Sequence, residues 1–173
     1  MIFVTVGTQG QFDRLIRTVD EWAGVRGKND VFAQTGPSDY HPEHIRTERF
    51  VHPAEFRECV EAASLVIAHA GMGSIITALE LGKQIIVMPR RANLGEHRND
   101  HQVATAKRFA EQGRITVALN EKELVDRLDQ FEAFDKVDRL GAQASPHLIA
   151  TIRTFIESGH VRMADGDVRG GGA

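Results

Sequence analysis

Three short stretches of this sequence gather residue types suited to holding anions and sugars rather than to packing a core. The first is Gly7-Thr8-Gln9-Gly10-Gln11, just ahead of an apolar-periodic run that begins at Phe12. Glycine lets a backbone approach a ligand closely, and the N-terminus of a following helix favours negative charge. The same residues also suit an ordinary tight turn between strand and helix, and they do not form the GxGxxG of dinucleotide binding. The second stretch is His69-Ala70-Gly71-Met72-Gly73-Ser74. Gly71, Gly73 and Ser74 before a helix offer a diphosphate free N–H groups, the positive end of a helix dipole and one hydroxyl donor. His69 would stand at a strand end with a ring nitrogen within reach of a phosphate oxygen. The alternative there is a capped helix beside a hydrogen-bonded histidine.

The third stretch runs from Pro89 to Gln102 and is strongly polar over about a dozen residues, longer than a structural connection needs. His97 and His101 stand four apart, as in some metal pairs. Glu96, however, precedes the first histidine, so HExxH is not matched and no metal is expected. Arg90 and Arg91 either meet phosphate or face solvent.

Elements that could position these stretches follow from periodicity. Strands are expected at Ile2–Val6, Asp30–Thr35, Arg49–Val51, Leu65–Ala68, Ile85–Met88 and Ile115–Ala118. Several are apolar runs without polar alternation, as in strands covered on both faces. Phe12, Leu15, Ile16, Val19 and Ala23 keep helical spacing. Pro53 suits the first turn of a helix over Pro53–Ala63. Gly82 ends a helix over Gly73–Leu81, and Gly113 follows another over Asp100–Gln112. Asn120 with Glu123 forms an N-cap pair, and Ser145-Pro146 opens a last helix. Strand–helix alternation implies a Rossmann-like α/β domain, a parallel sheet with helices on both faces. Residues 1–158 read as that one domain. Gly159–Ala173 loses periodicity and reads as a disordered tail.

With 42 % hydrophobic and 26 % charged residues, the composition is that of a soluble globular protein. The net charge of −3 gives no reason to expect a nucleic-acid partner. One cysteine, Cys59, cannot form an internal disulfide and fits a cytoplasmic setting. The apolar start Ile2–Val6 is too short for a signal peptide, and no stretch approaches the roughly 20 apolar residues of a membrane span.

The ordered set of motifs resembles the carboxyl-terminal domain of glycosyltransferase family 28. It comprises His69 to Ser74, Leu81-Gly82-Lys83, Ile86 to Arg91, and Gly95-Glu96-His97-x-Asn99-Asp100-His101-Gln102. Val4 to Thr8 and Phe12-Asp13-x-Leu15-Ile16 resemble its short stand-alone form, the catalytic subunit of the two-part UDP-N-acetylglucosamine transferase of N-glycan synthesis and its bacterial exopolysaccharide counterparts. The resemblance implies the C-terminal half of a GT-B glycosyltransferase with a UDP-sugar as donor and no cofactor. His69, Gly71, Gly73 and Ser74 would hold the diphosphate. Glu96, Asn99, His101 and Gln102 would form the donor-sugar end, and Gly7 and Thr8 would line the cleft. Related transferases often carry an acidic residue on the ribose where this chain has Thr77. Thr77 offers one bond, and Glu80, a turn further on, is the acidic alternative.

The reaction so implied is an inverting transfer of a hexose-type sugar to a polyprenyl-diphosphate-linked acceptor. The acceptor would be reached through a membrane-anchored partner subunit that recruits this chain to the cytoplasmic face. No catalytic residue is assigned. Two other functions compete: a nucleotide-binding regulatory subunit without turnover, and an enzyme like the UDP-sugar 2-epimerases, which need two such domains in one chain.

Overall fold

The structure, a computed structural model, describes residues 1–134 apart from Gln112 and Arg114. The helix expected from Ser145 and the tail expected over Gly159–Ala173 lie outside the described residues. In chain order the elements are β1 (Ile2–Thr5), α1 (Asp13–Arg26), β2 (Val31–Gln34), β3 (Arg46–Glu48), α2 (Pro53–Ala62), β4 (Leu65–His69), α3 (Met72–Glu80), β5 (Gln84–Met88), α4 (His101–Glu111), β6 (Thr116–Val117) and α5 (Glu121–Phe134). A 3-10 turn, Ala92–Leu94, interrupts the connection from β5 to α4.

Among the described residues the strands form one parallel sheet in the order β3-β2-β1-β4-β5-β6. Ile2 to Thr5 pair in register with Val31 to Gln34 on one side and with Leu65 to Ala68 on the other. Alternate residues of β1 serve opposite faces, as the period of two requires. Ile2 and Val4 join the large core with Leu15, Ile16, Leu124 and Leu128 of α1 and α5. Phe3 points the other way and meets the Phe56 ring of α2 edge-on at 5.5 Å. Helices therefore cover both faces, and the central strands carry no polar alternation.

Helix boundaries obey local chemistry. Asn120 Oδ1 accepts the Glu123 N–H at 2.9 Å, while the Glu123 carboxylate takes the Leu119 N–H at 2.8 Å. This reciprocal cap starts α5. Pro53 occupies the first turn of α2, where its missing N–H costs nothing.

The third strand is not where the sequence put it. Arg49–Val51 is not a strand; β3 is Arg46–Glu48, all three residues exposed. It lies at the sheet edge and is held by backbone pairing of Arg46 to Glu48 with Phe32 to Gln34 rather than by burial. Such a strand leaves no hydrophobic signature to read.

Candidate functional site

The chain winds outward in both directions from β1, so β1 and β4 are neighbours whose following connections diverge. Ligands of open parallel sheets settle at the carboxyl ends of the strands at such a point. Here a cleft of about 1180 Å³ opens, walled by the first loop, the start of α3 and the segment from Arg90 to Thr105. The three stretches singled out by residue type thus meet in space.

Gly7 and Gly71 make room for one side chain, that of His69. A Cβ on Gly7 would stand 2.6 Å from His69 Cε1, and one on Gly71 would stand 2.1 Å from Nε2. Gly7 also has φ +73, which glycine alone adopts without strain. Between them the imidazole is trapped, and its Nδ1 is buried with no hydrogen-bond partner. Burial, and after it the nearby Arg90 charge, pushes the His69 pKa down to about 4; the Thr5 backbone opposes that shift. The ring is therefore neutral at physiological pH.

Gly71 precedes α3 and supplies no side-chain cap. The first-turn N–H groups of Met72, Gly73 and Ser74 consequently have no helical partner. Around Gly73 there is open space, and Ser74 is buried beside it on the cleft wall. Thr77 also lines the cleft, but its hydroxyl donates back to the Gly73 carbonyl at 2.9 Å, leaving only acceptor capacity. Glu80 is not a lining residue; its carboxylate faces Arg57 at 3.9 Å.

Residues of the third stretch divide into two kinds. Gln102 is buried in the cleft wall, and its Oε1 accepts the Arg90 N–H at 3.1 Å. His101 is exposed on the rim, its ring 4.6 Å from that of His97 in an edge-on arrangement. Asn99 is not in the wall: its Oδ1 meets the His101 backbone and ring and so fixes the rim histidine. Glu96 does reach the wall, yet its carboxylate is clamped by Arg14, with bonds of 2.7 and 2.8 Å, and by the Arg91 N–H. Glu96 ties α1 to the third loop.

Arg90 does not face solvent. It is 2 % exposed, and its guanidinium donates to the carbonyls of Val6, Gly10 and Gln11. Other lining residues escaped the sequence reading, among them Gln34, Phe56 and Arg57. Gln34 is fixed by the Thr5 hydroxyl at 3.0 Å. Its place on β2 beside Thr5 gave no local signal, since only strand register brings it to the site.

With this geometry in hand, comparison with known proteins is decisive. The Glycosyltransferase family 28 C-terminal domain matches residues 1–146. The chain belongs to that family. The human UDP-N-acetylglucosamine transferase subunit ALG13 is 33 % identical over 124 residues, covering 66 % of this chain. The chain spans about 10 % of the length of that relative. An ALG13 solution structure shares the fold with a TM-score of 0.59 at 20 % identity, covering 91 % of this chain and 95 % of that one. The glycotransferase of kitacinnamycin gives 0.59 at 20 % identity over 91 % of this chain and 39 % of its own length. The family-28 domain is thus a Rossmann-like α/β unit of the type that forms the C-terminal half of GT-B glycosyltransferases.

Protonation of His69 gives the first test. The unfolded chain takes up a proton near 6.5 and the folded one only near 4. The contribution of this ring to stability is therefore complete above 6.5 and declines as pH falls from 6.5 to 4. An NMR titration of the His69 ring should show a midpoint well under 5.5. A midpoint at the usual histidine value would mean that the ring is not held as described.

Proposed function

We propose that this family-28 domain is the donor-binding subunit of an inverting glycosyltransferase that takes a hexose-type sugar from a UDP-sugar. The observation that carries the reading is the uncapped start of α3 at the switch-point cleft, beside a buried, neutral His69 and the buried Ser74. That arrangement suits a diphosphate. In this reading Met72, Gly73 and Ser74 donate N–H bonds, Ser74 adds its hydroxyl, and the neutral His69 ring lines the diphosphate end. The amide of Gln102 and the His101 ring, one strand over, meet hydroxyls of the sugar.

Transfer is a displacement at the anomeric carbon. An acceptor hydroxyl forms the new C–O bond, the bond to the diphosphate breaks, and UDP leaves with the electron pair. Fixed N–H dipoles stabilise the charge that builds on the leaving oxygen, and such preorganised electrostatics is the usual major term in catalysis. No metal is invoked, because the helix terminus supplies the positive potential. The hydroxyl proton goes to a general base that we assign to no residue of this chain. The acceptor is taken to be a polyprenyl-diphosphate-linked sugar held by a membrane-anchored partner at the cytoplasmic face. Two points support it: the human relative is named as a transferase subunit, and no helix among the described residues is long and apolar enough to cross a membrane.

The direct experiment is a thermal-shift panel. UDP and UDP-sugars should raise the melting temperature more than ADP, GDP or NAD, with about 2.7 kcal/mol of added stability at 100 Kd. Equal shifts from every nucleotide, or a shift from NAD alone, would defeat the assignment.

Substitutions separate diphosphate from sugar. Ser74→Ala should weaken UDP and UDP-sugar alike by about tenfold, one charge-assisted bond being worth about 1.5–3 kcal/mol. Gln102→Ala should leave UDP nearly unchanged and reduce affinity only for the intact donor. Calorimetric titration of both ligands against both variants decides it; loss of UDP binding in Gln102→Ala would refute the placement of the sugar.

Partner dependence is tested by reconstitution. Transfer to a lipid-linked acceptor should require a second protein bearing a hydrophobic anchor, and this chain should be pulled to membranes only with it. Undiminished transfer by this chain alone would contradict the division of labour.

A further inference from the structure

We infer that Arg90 is the fixed cation of the anion site, acting on a bound diphosphate through its charge and through the loop it holds. This rests on the donor-binding function proposed above.

Three arginines line the cleft: Arg57, Arg90 and Arg98. Arg57 is exposed and faces Glu80, and Arg98 stands exposed on the rim. Arg90 alone is buried, at 2 % exposure, where water screens a charge least. Three of its five donors bond backbone carbonyls. Nη2 bonds the Val6 and Gly10 carbonyls at 2.9 Å each, and Nε bonds Gln11 at 3.3 Å. No carboxylate among the described residues bonds to it. Among those residues Glu96 alone is acidic and lines the cleft; its charge acts on Arg90, but its hydrogen bonds go to Arg14 and the Arg91 N–H. Below the guanidinium lies the Phe12 ring, 5.1 Å from its centre, so the cation sits on an aromatic face.

A guanidinium anchored to three carbonyls keeps its full unit charge, because carbonyl dipoles orient around it without neutralising it. Its effect already reaches the site, since after burial it is the largest influence keeping His69 neutral. A diphosphate replacing solvent in the cleft would meet a cation that needs no reorganisation. The same fork fixes the path of Val6 to Gln11, hence the position of Gly7 against the His69 ring. The Arg90 N–H meanwhile fixes Gln102. One residue thereby links the loop after β1, the charge of the anion site and the orientation of Gln102.

The charge can be isolated by comparing UDP with uridine, which lacks the diphosphate. In Arg90→Met, UDP affinity should drop about tenfold or more while uridine changes less than about twofold, as expected for loss of one weakly screened charge. Arg90→Lys, which keeps the charge, should hold the UDP-to-uridine ratio within about threefold of the parent. Affinities come from NMR titration, with amide spectra confirming the fold. Should the methionine variant unfold, Arg90→Gln takes its place, because its amide can return one bond to the carbonyls. Equal losses for UDP and uridine, or an unchanged ratio in the neutral variants, would overturn the inference. Failure of the parent chain to prefer UDP at all would instead defeat the proposed function.

Discussion

Reversal of winding at β1 sets everything else in this molecule. The chain leaves β1 toward β2 and β3, then returns through α2 to lay β4 along the other side of β1. Right-handed crossovers in opposite directions force the two following loops apart. A gap must open at the carboxyl ends of β1 and β4, and Gly7 and Gly71 stand on its two sides. Those glycines are small because one imidazole has to fit between them. Larger residues would close the gap from within, so topology and residue size specify the same cavity.

Electrostatics in that gap follows from which charges are committed elsewhere. Glu96 looks acidic in sequence, but Arg14 and the Arg91 N–H use its lone pairs. His69 looks like a cation near neutral pH, but burial and Arg90 keep it uncharged. Beside the exposed Arg57 and Arg98, the buried positive features are the α3 terminus and the Arg90 guanidinium. A site assembled from backbone dipoles and a locked arginine pays little reorganisation when an anion arrives, which is the condition for electrostatic preorganisation.

Legibility from sequence tracked the locality of each signal. The loop from His69 to Ser74, the α5 cap at Asn120 and Glu123 and the central strands all rest on neighbours within a few positions, and the sequence reading places them. The edge strand β3 was displaced because its pairing is backbone to backbone and its side chains face water. Gln34 was invisible for a related reason: strand register, a non-local property, brings it beside Thr5. Arg90 stood open between phosphate and solvent, since a sequence does not show three carbonyls converging on one guanidinium. Asn99, placed at the site by the resemblance, instead caps the His101 backbone and ring, and Glu80 is drawn to Arg57.

Water is the remaining physical constraint on the proposed reaction. A glycosyl donor whose leaving group is already stabilised is exposed to hydrolysis unless solvent is excluded from the anomeric carbon. The described residues leave the cleft open: Thr8, Gln9 and Gly10 on one rim and Arg98 and His101 on the other are exposed. At about 1180 Å³ it exceeds the roughly 300–1,000 Å³ of an ordinary enclosed small-molecule pocket. In the proposed reaction a cover from beyond these residues would let sugar pass to an alcohol rather than to water. Under that proposal the donor is held by the cleft described here, while selective transfer calls for a second surface. That asymmetry is the physical argument for dividing such an enzyme into a donor subunit and an acceptor subunit, with catalysis gated by their meeting.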